Sequence, residues 1–516
     1  MRTIALATGL GIFALACGST DQSQQPLNNP SGGMTATEGG SANSGGSSSS
    51  NGGSSTSKGG STSNANGGAT SGSGGSGSGG KASGGAAATG GTKSGSGGTA
   101  QGSGGAAQNS GGTTSVAGTT SSAGAAGTYT TTPVDLCQGL VSDLQAHPMT
   151  ALAKPAVGAV ATDAEFGTKI RRITGVAASG GNPVIKPMYT TVSAWNADES
   201  KLILYKVGTG HQLYDGKTYA LIRTLDISPP DLEQVFWHTS DPDVLFYVDG
   251  RDFVRYHVAA SRKEVMTTFT FCSDDASSGS DPMFMSFDST RIALGCGNQA
   301  FVYDISKNMV IARVTNSDEN PPQMAPSGKF VFFGDSGRVA DATTLSVVRT
   351  LDIAEPYGHA CLGLLPTGQD TWNGVAFDPG PRGNDSIGSV VTFDFTTGSS
   401  KVVIGEDTGF PYPPTTHVSA MAYRNPGWVV SSTLGNTSGR GLLDLELTVA
   451  NTSTGKFCRV GRHRSWGKEN TQITDSYWAE SHAVLSPTGT RIAFGSDWGN
   501  GGTVDTYVVE LPSYKP

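Results

Sequence analysis

A unit of two short apolar runs about a Pro/Gly turn constrains this chain more than any other feature. Its clearest copy lies in Tyr477 to Trp498. There Ala483 to Leu485 leads into Ser486-Pro487-Thr488-Gly489, and Arg491-Ile492-Ala493-Phe494-Gly495 follows. Alternating runs around such a turn mark an antiparallel hairpin. Weaker copies recur upstream. Their strongest runs read as inner strands: Lys201 to Tyr205, Asp243 to Tyr247, Arg291 to Gly295, Lys329 to Phe333, Gly427 to Ser431 and Arg491 to Gly495, with a weaker one near Trp372 to Phe377. Their starts lie 38 to about 64 residues apart, which fits a four-stranded blade with loops of varying length.

From about Thr168 onward no long helical pattern appears, so the expected class is all-β, a β-propeller. Third and fourth strands follow in most units, as in Ala300 to Asp304 with Met309 to Val314, or Leu442 to Val449 with Phe457 to Val460. The count is seven blades; six or eight stay open because the fifth unit is ill-defined. The seventh has a third strand, Val504 to Leu511, and then the chain ends. Gly167 to Thr174 is an orphan strand ahead of the first blade. We expect it to complete the last blade and so leave few free edges. The loops 181–188, 433–440 and 464–477 are the places on such a ring where function usually resides.

The first 166 residues are of another kind. Met1 to Ala16 has Arg2 and then an apolar run, Ile4 to Ala16, too short for a stable membrane span. Ala14-Leu15-Ala16 precedes Cys17. This arrangement resembles a bacterial lipoprotein signal, with Ala14 where Leu is usual, and implies lipidation of Cys17. Gly18 after the cysteine implies the outer membrane or cell surface; an ordinary secretory signal is the alternative. Residues 17–130 are a Gly/Ser/Thr-rich tether. Between Glu38 and Asp135 the only charges are Lys58, Lys81 and Lys93. So few apolar side chains cannot offset the entropy of ordering, and disorder is expected, with an end-to-end distance of about 55–60 Å. Residues 131–166 form a lead-in. Leu136, Leu140, Val141 and Leu144 predict a short amphipathic helix over Asp135 to Ala146, with His147 at its end.

A net charge of −8 without a basic patch argues against a nucleic-acid partner. After Cys17, five cysteines remain, without a C-x-x-C spacing, so a cysteine zinc site is not expected. In an exported chain a disulfide is, with Cys272 and Cys296 the first choice and Cys361 the thiol left over.

Three histidines hold one place in three consecutive repeats: His359, His417 and His482 open the strands that follow them. Equal phase would bring three imidazoles to one channel mouth, where Zn²⁺ or Mn²⁺ suits them, with Glu480 close by. The other reading is a set of inter-blade hydrogen bonds. His463, Arg464 (or Arg462) and Tyr477 lie in the adjoining loop and are the candidates for chemistry. His211, His238 and His257 read as structural, as do Asp497 and Trp498.

The units HAVLSPTGTRIAFGSDW and QMAPSGKFVFFGD resemble the repeats of bacterial TolB-like and WD40-like propellers, over Thr168 to Pro516. THVSAMAYRNPGWVVSS and ESHAVLSPTG are similar to histidine-bearing blade starts of the oligogalacturonate lyases, seven-bladed propellers in which histidines and a glutamine hold Mn²⁺. That resemblance implies His417 and His482 as ligands. The family's Gln-x-x-His-x-His cluster is absent; Gly461-Arg-His463-Arg-Ser and Glu480-Ser-His482 stand in that region. Two functions follow. One is a surface-tethered, monomeric binding module for a polysaccharide, peptide or envelope protein, meeting the membrane only through its lipid. The other is a metal-dependent polysaccharide lyase acting by β-elimination.

Overall fold

The computed structural model describes residues 133–177, 182–279, 285–353, 359–376, 388–410 and 414–516. The signal segment, Cys17 and the tether lie outside the described residues. The described strands form seven antiparallel sheets, the blades of a β-propeller. Blade 1 runs Ile185–Lys186, Lys201–Lys206, Gly210–Asp215, Leu221–Thr224. Blades 2, 4, 5 and 6 repeat that meander from Phe236–Trp237, Gln323–Met324, Cys361–Leu364 and Thr415–Ser419. Blade 3 has three named strands, with a bridge from Met285 to Ile292 in place of the first.

The ring closes as its missing strand requires. Lys169–Arg172 pairs antiparallel with Asp505–Glu510, Ile170 opposite Val509. Val160–Thr162 adds a fifth strand outside it. Ile170 is buried among Leu485, Ile492 and Val509, so the closing strand contributes core as well as hydrogen bonds. A second clasp joins the last blade to the first. The Arg491 guanidinium donates to the Glu199 carboxylate at 2.7 and 3.2 Å, and Glu199 also accepts from the Thr488 amide at 2.8 Å.

The strong apolar runs prove to be the second strand of each sheet. In blade 1 the innermost strand is Ile185–Lys186, with Lys201–Lys206 next to it. The reason is packing. A second strand is covered by a neighbour on each side and by a blade on each face, so it reads as a continuous apolar run. Phe246 and Phe253 stack at 5.4 Å, and Phe253 meets Tyr303 of the next blade at 5.0 Å. The repeat's turn keeps its register through glycine. Gly489 has φ of +76°, and a Cβ there would stand 2.7 Å from Leu136 Cδ1.

The lead-in corrects the helix expected over Asp135 to Ala146. It is a single turn followed by extended chain along the outer strand of blade 6, with Val141 bridged to Arg459. Its apolar residues do not share one face. Leu136 is buried between blades 6 and 7, whereas Leu144 is exposed. A disulfide joins Cys137 to Cys458, and another joins Cys272 to Cys296 between blades 2 and 3. Cys361 stays a buried thiol that accepts from the Ala420 amide at 3.1 Å.

Candidate metal centre

Blades 5, 6 and 7 and the loop before the last blade place the polar cluster. His417 sits in Thr415–Ser419, opposite Ser432. His482 comes two residues before Val484–Leu485, with φ of +41°. His359 stands in the same relation to Cys361–Leu364, with φ of +50°. The left-handed backbone at these two points turns the chain before each strand begins. The rings of His359 and His417 lie 4.3 Å apart, and those of His417 and His482 also 4.3 Å. The equal phase of the repeats therefore does bring the three imidazoles together.

The third ligand atom in the tightest group belongs to Glu480 rather than His359. His417 Nδ1 and His482 Nε2 each lie 3.6 Å from Glu480 Oε2, and ligand atoms of the three residues all fall within 4.8 Å of one another. His417 and His482 are 1 % exposed and Glu480 2 %. Neither ring nitrogen of His417 or His482 has a hydrogen-bond partner among the described residues, nor has Glu480 Oε2. Leaving one such atom buried and unmet costs about 1–3 kcal/mol. Here three converge, one from each residue. A spacing of 3.6 Å is too long for a hydrogen bond. It is close to the ~3–3.5 Å that separates two donors each about 2.1 Å from one ion. Two imidazoles and a carboxylate, buried and lacking other partners, fit a divalent transition metal. Burial, with neighbouring positive charge, holds the His417 and His482 rings well below the usual imidazole range, so both are neutral and ligand-competent near pH 7. His359 differs, because its Nδ1 hydrogen-bonds the Thr416 carbonyl. That bond makes Nδ1 the protonated nitrogen and Nε2 the basic one.

Glu480 is positioned from below. Ser476–Ala479 is a 3₁₀ turn capped by the Asp475 carboxylate, which accepts from the Tyr477 amide at 3.1 Å. Lys186, fully buried on the innermost strand of blade 1, donates to the carbonyls of Glu480 and of Trp478, the latter at 3.3 Å. Burial lowers its pKa to about 7. Lys468 Nζ lies 3.6 Å from Glu480 Oε1. The sequence reading missed Lys186. A lone cation inside Val184-Ile185-Lys186-Pro187-Met188 was the available signal, since a lysine is not placed in an apolar strand without a partner.

Of the residues expected to do chemistry, Tyr477 reaches the cluster, its ring 5.2 Å from that of His482. His463 and Arg464 do not. His463 Nε2 bonds the Thr433 carbonyl at 2.7 Å and Nδ1 accepts from the Ser465 amide at 3.0 Å, so both ring nitrogens are engaged. Arg464 donates to Thr150 O at 2.8 Å and faces Asp163 and Glu165 of the lead-in at 3.7 Å. Arg462 hydrogen-bonds the carbonyls of Asp444 and His147. Asp497 accepts from Asn470 Nδ2 at 2.6 Å and from the Trp466 and Gly499 amides, which fixes the loop 464–477. Trp498 stacks on Tyr507 at 4.7 Å. His211, His238 and His257 are engaged with Leu232 O, the turn amides of Ser240 and Asp241, and Glu264.

No family model matches the chain, and no curated protein matches it. Among solved structures it is similar to an oligogalacturonate lyase in complex with manganese, at 17% identity, covering 72% of this chain and 99% of that one, with a TM-score of 0.48. It is similar to an oligogalacturonate lyase from Vibrio parahaemolyticus, at 16% identity over 70% of this chain and 100% of that one, TM-score 0.49. The WD40 domain of Neurospora crassa Pan2 follows, at 14% identity over 64% and 90%, TM-score 0.39. These are likenesses of fold, and the propeller assignment itself rests on the seven sheets.

Proposed function

We propose that His417, Glu480 and His482 hold a divalent transition metal, Mn²⁺ or Zn²⁺, and that this centre binds the carboxylate of a uronate-containing polysaccharide. The observation that carries the reading is the convergence of three buried ligand atoms, one from each residue, that have no hydrogen-bond partner among the described residues. The charge around it agrees. One carboxylate faces a divalent ion and Lys468, so the centre favours an anionic ligand. When bound, the metal would neutralise a uronate carboxylate. The chain is in this reading an exported, lipid-anchored binding protein, its placement resting on Met1 to Cys17.

A second reading, β-elimination, is favoured by His359. Its ring lies 4.3 Å from that of His417, and its Nδ1 bonds the Thr416 carbonyl, so Nε2 is the nitrogen that would take the proton. Metal analysis of the purified propeller tests the centre, and titration with trigalacturonate tests the ligand. Absorbance of the unsaturated uronide separates the two readings. A protein free of metal after incubation with Mn²⁺ and Zn²⁺ removes both. Labelling with a radioactive fatty acid, lost in Cys17→Ser, tests the anchor.

A further inference from the structure

The carboxylate of Glu480 is placed by its backbone rather than by bonds of its own. Oε2 has no hydrogen-bond partner among the described residues, and Oε1 meets Lys468 only at 3.6 Å, which is too long for a hydrogen bond. The turn beneath is held at three successive carbonyls. Lys186 Nζ donates to those of Trp478 and Glu480, and Ser465 Oγ to that of Ala479. Lys186 comes from the other side of the seam between the last blade and the first. Its strand is fixed there: the Ile185 amide donates to Val504 O at 2.9 Å, and Thr506 Oγ1 donates to Ile185 O at 2.8 Å. The ammonium is fully buried, and no carboxylate hydrogen-bonds it among the described residues. Blade 7 leaves room for its stem, since a Cβ on Gly495 would stand 3.1 to 3.4 Å from Lys186 Cβ, Cε and Cδ. Burying a charge without a directly paired counter-charge is costly. An apolar side chain of that length would fill the same slot without the cost.

We propose that Lys186 is a positioning residue of the metal centre: from blade 1 it sets the turn that aims Glu480 Oε2 at His417 and His482. The centre is then assembled by three blades across the closing seam, not by blades 6 and 7 alone. This rests on the metal reading and deepens it. Oε2 lies 3.6 Å from His417 Nδ1 and 3.6 Å from His482 Nε2. A ligand set tolerates only small errors at such spacing, because each metal-to-donor distance is fixed to about 0.2 Å. The carbonyl that Lys186 holds belongs to the residue whose side chain is the ligand, so a shift at that carbonyl swings Cα–Cβ with it. Groups that orient a ligand from outside the coordination sphere govern metal affinity in this way. Charge alone predicts the opposite effect. A like charge beside an ion repels it. A lysine that did nothing but sit there would weaken metal binding, and its removal would tighten it. The two roles therefore differ in sign.

The test measures Zn²⁺ affinity by chelator competition, and the visible spectrum of the Co²⁺-loaded protein, in wild type, Lys186→Met and Gly495→Ala. Lys186→Met keeps the stem and removes the donors. Gly495→Ala keeps the ammonium and crowds its stem. Lys186→Met should weaken Zn²⁺ binding by about tenfold or more, and Gly495→Ala should weaken it in the same direction. Both should alter the Co²⁺ bands, which follow ligand geometry. Metal-free Lys186→Met should melt no lower than wild type, since an apolar chain replaces a buried charge that has no direct ion pair. Zn²⁺ bound as tightly as in wild type, or more tightly, by Lys186→Met overturns the positioning role, as does a Co²⁺ spectrum unchanged in both variants. If Lys186→Met fails to fold, Gly495→Ala decides, and unchanged affinity there overturns the role. The metal reading fails separately. Wild type that takes up neither Zn²⁺ nor Co²⁺ removes the centre and the role together, whereas wild type that binds both, with Lys186→Met equally tight, removes the role alone.

Discussion

At the scale of the residue, the structure replaces one histidine with a carboxylate. Three imidazoles in equal phase were expected to share an ion. The grouped donors are His417, Glu480 and His482, while His359 has Nδ1 on a backbone carbonyl. Replacing His417 or His482 with Ala, or Glu480 with Gln, should abolish metal retention, since a site short of one ligand rarely keeps a transition metal. His359→Ala should retain it; metal content of the four variants after gel filtration decides. His463 yields a second prediction. Burial holds its folded pKa at about 4, against 6.5 for the ordinary group. As pH falls through 6.5 the unfolded chain takes up a proton that the folded chain refuses, so stability falls until about pH 4 and then levels. The full loss is on the order of 3 kcal/mol. His463→Gln should reduce, without abolishing, this slope, read from urea midpoints at pH 7 and 4.5, because His417 and His482 are also held neutral by burial. Equal slopes in the two proteins would contradict the assignment.

At the scale of the element, the closing strand was legible because its absence was. A last blade with three strands and an orphan strand upstream leave one economical pairing, and Lys169–Arg172 with Asp505–Glu510 supplies it. Deleting residues 167–174 removes Ile170 and Ile173, both buried. Two such side chains are worth roughly 3–6 kcal/mol of burial, which should lower a cooperative melt on the order of 10 °C. A melt at unchanged temperature would mean that the strand does not close the ring. The lead-in was not legible in the same way. Leu136, Leu140 and Leu144 have helical spacing, but Leu136 fills a gap between two blades and Val141 adds to an edge. An edge strand in reach outcompetes a short helix, because isolated helical turns are marginal.

At the scale of the whole molecule, two covalent staples act over very different distances. Cys137 and Cys458 are 321 residues apart, Cys272 and Cys296 only 24. On loop entropy the long staple should be worth about 2 kcal/mol more than the short one. Denaturant unfolding of the two Cys→Ala pair variants measures that difference, and a short staple worth as much as the long one would refute it. The long staple also ties the lead-in to the outer strand of blade 6. Low-dose protease should leave a fragment whose first residue lies between Thr131 and Cys137, found by N-terminal sequencing; a start beyond Thr174 would contradict the closure of the ring.

Local information was enough for the repeat and the common phase of three histidines, and it put the blade count at seven to within one. Alternation and turn chemistry act over a few residues, and a ring assembled from like units transmits phase from one to the next. Tertiary structure alone decided which donors meet. Lys186 lies beneath Glu480 and Glu199 binds Arg491 across some 290 residues of sequence, and no periodicity encodes such pairs. It also decided that the strongest apolar runs are second strands. Hydrophobicity reports how much of a strand is covered, and the most covered strand in a blade is the one between its neighbours rather than the one at the axis.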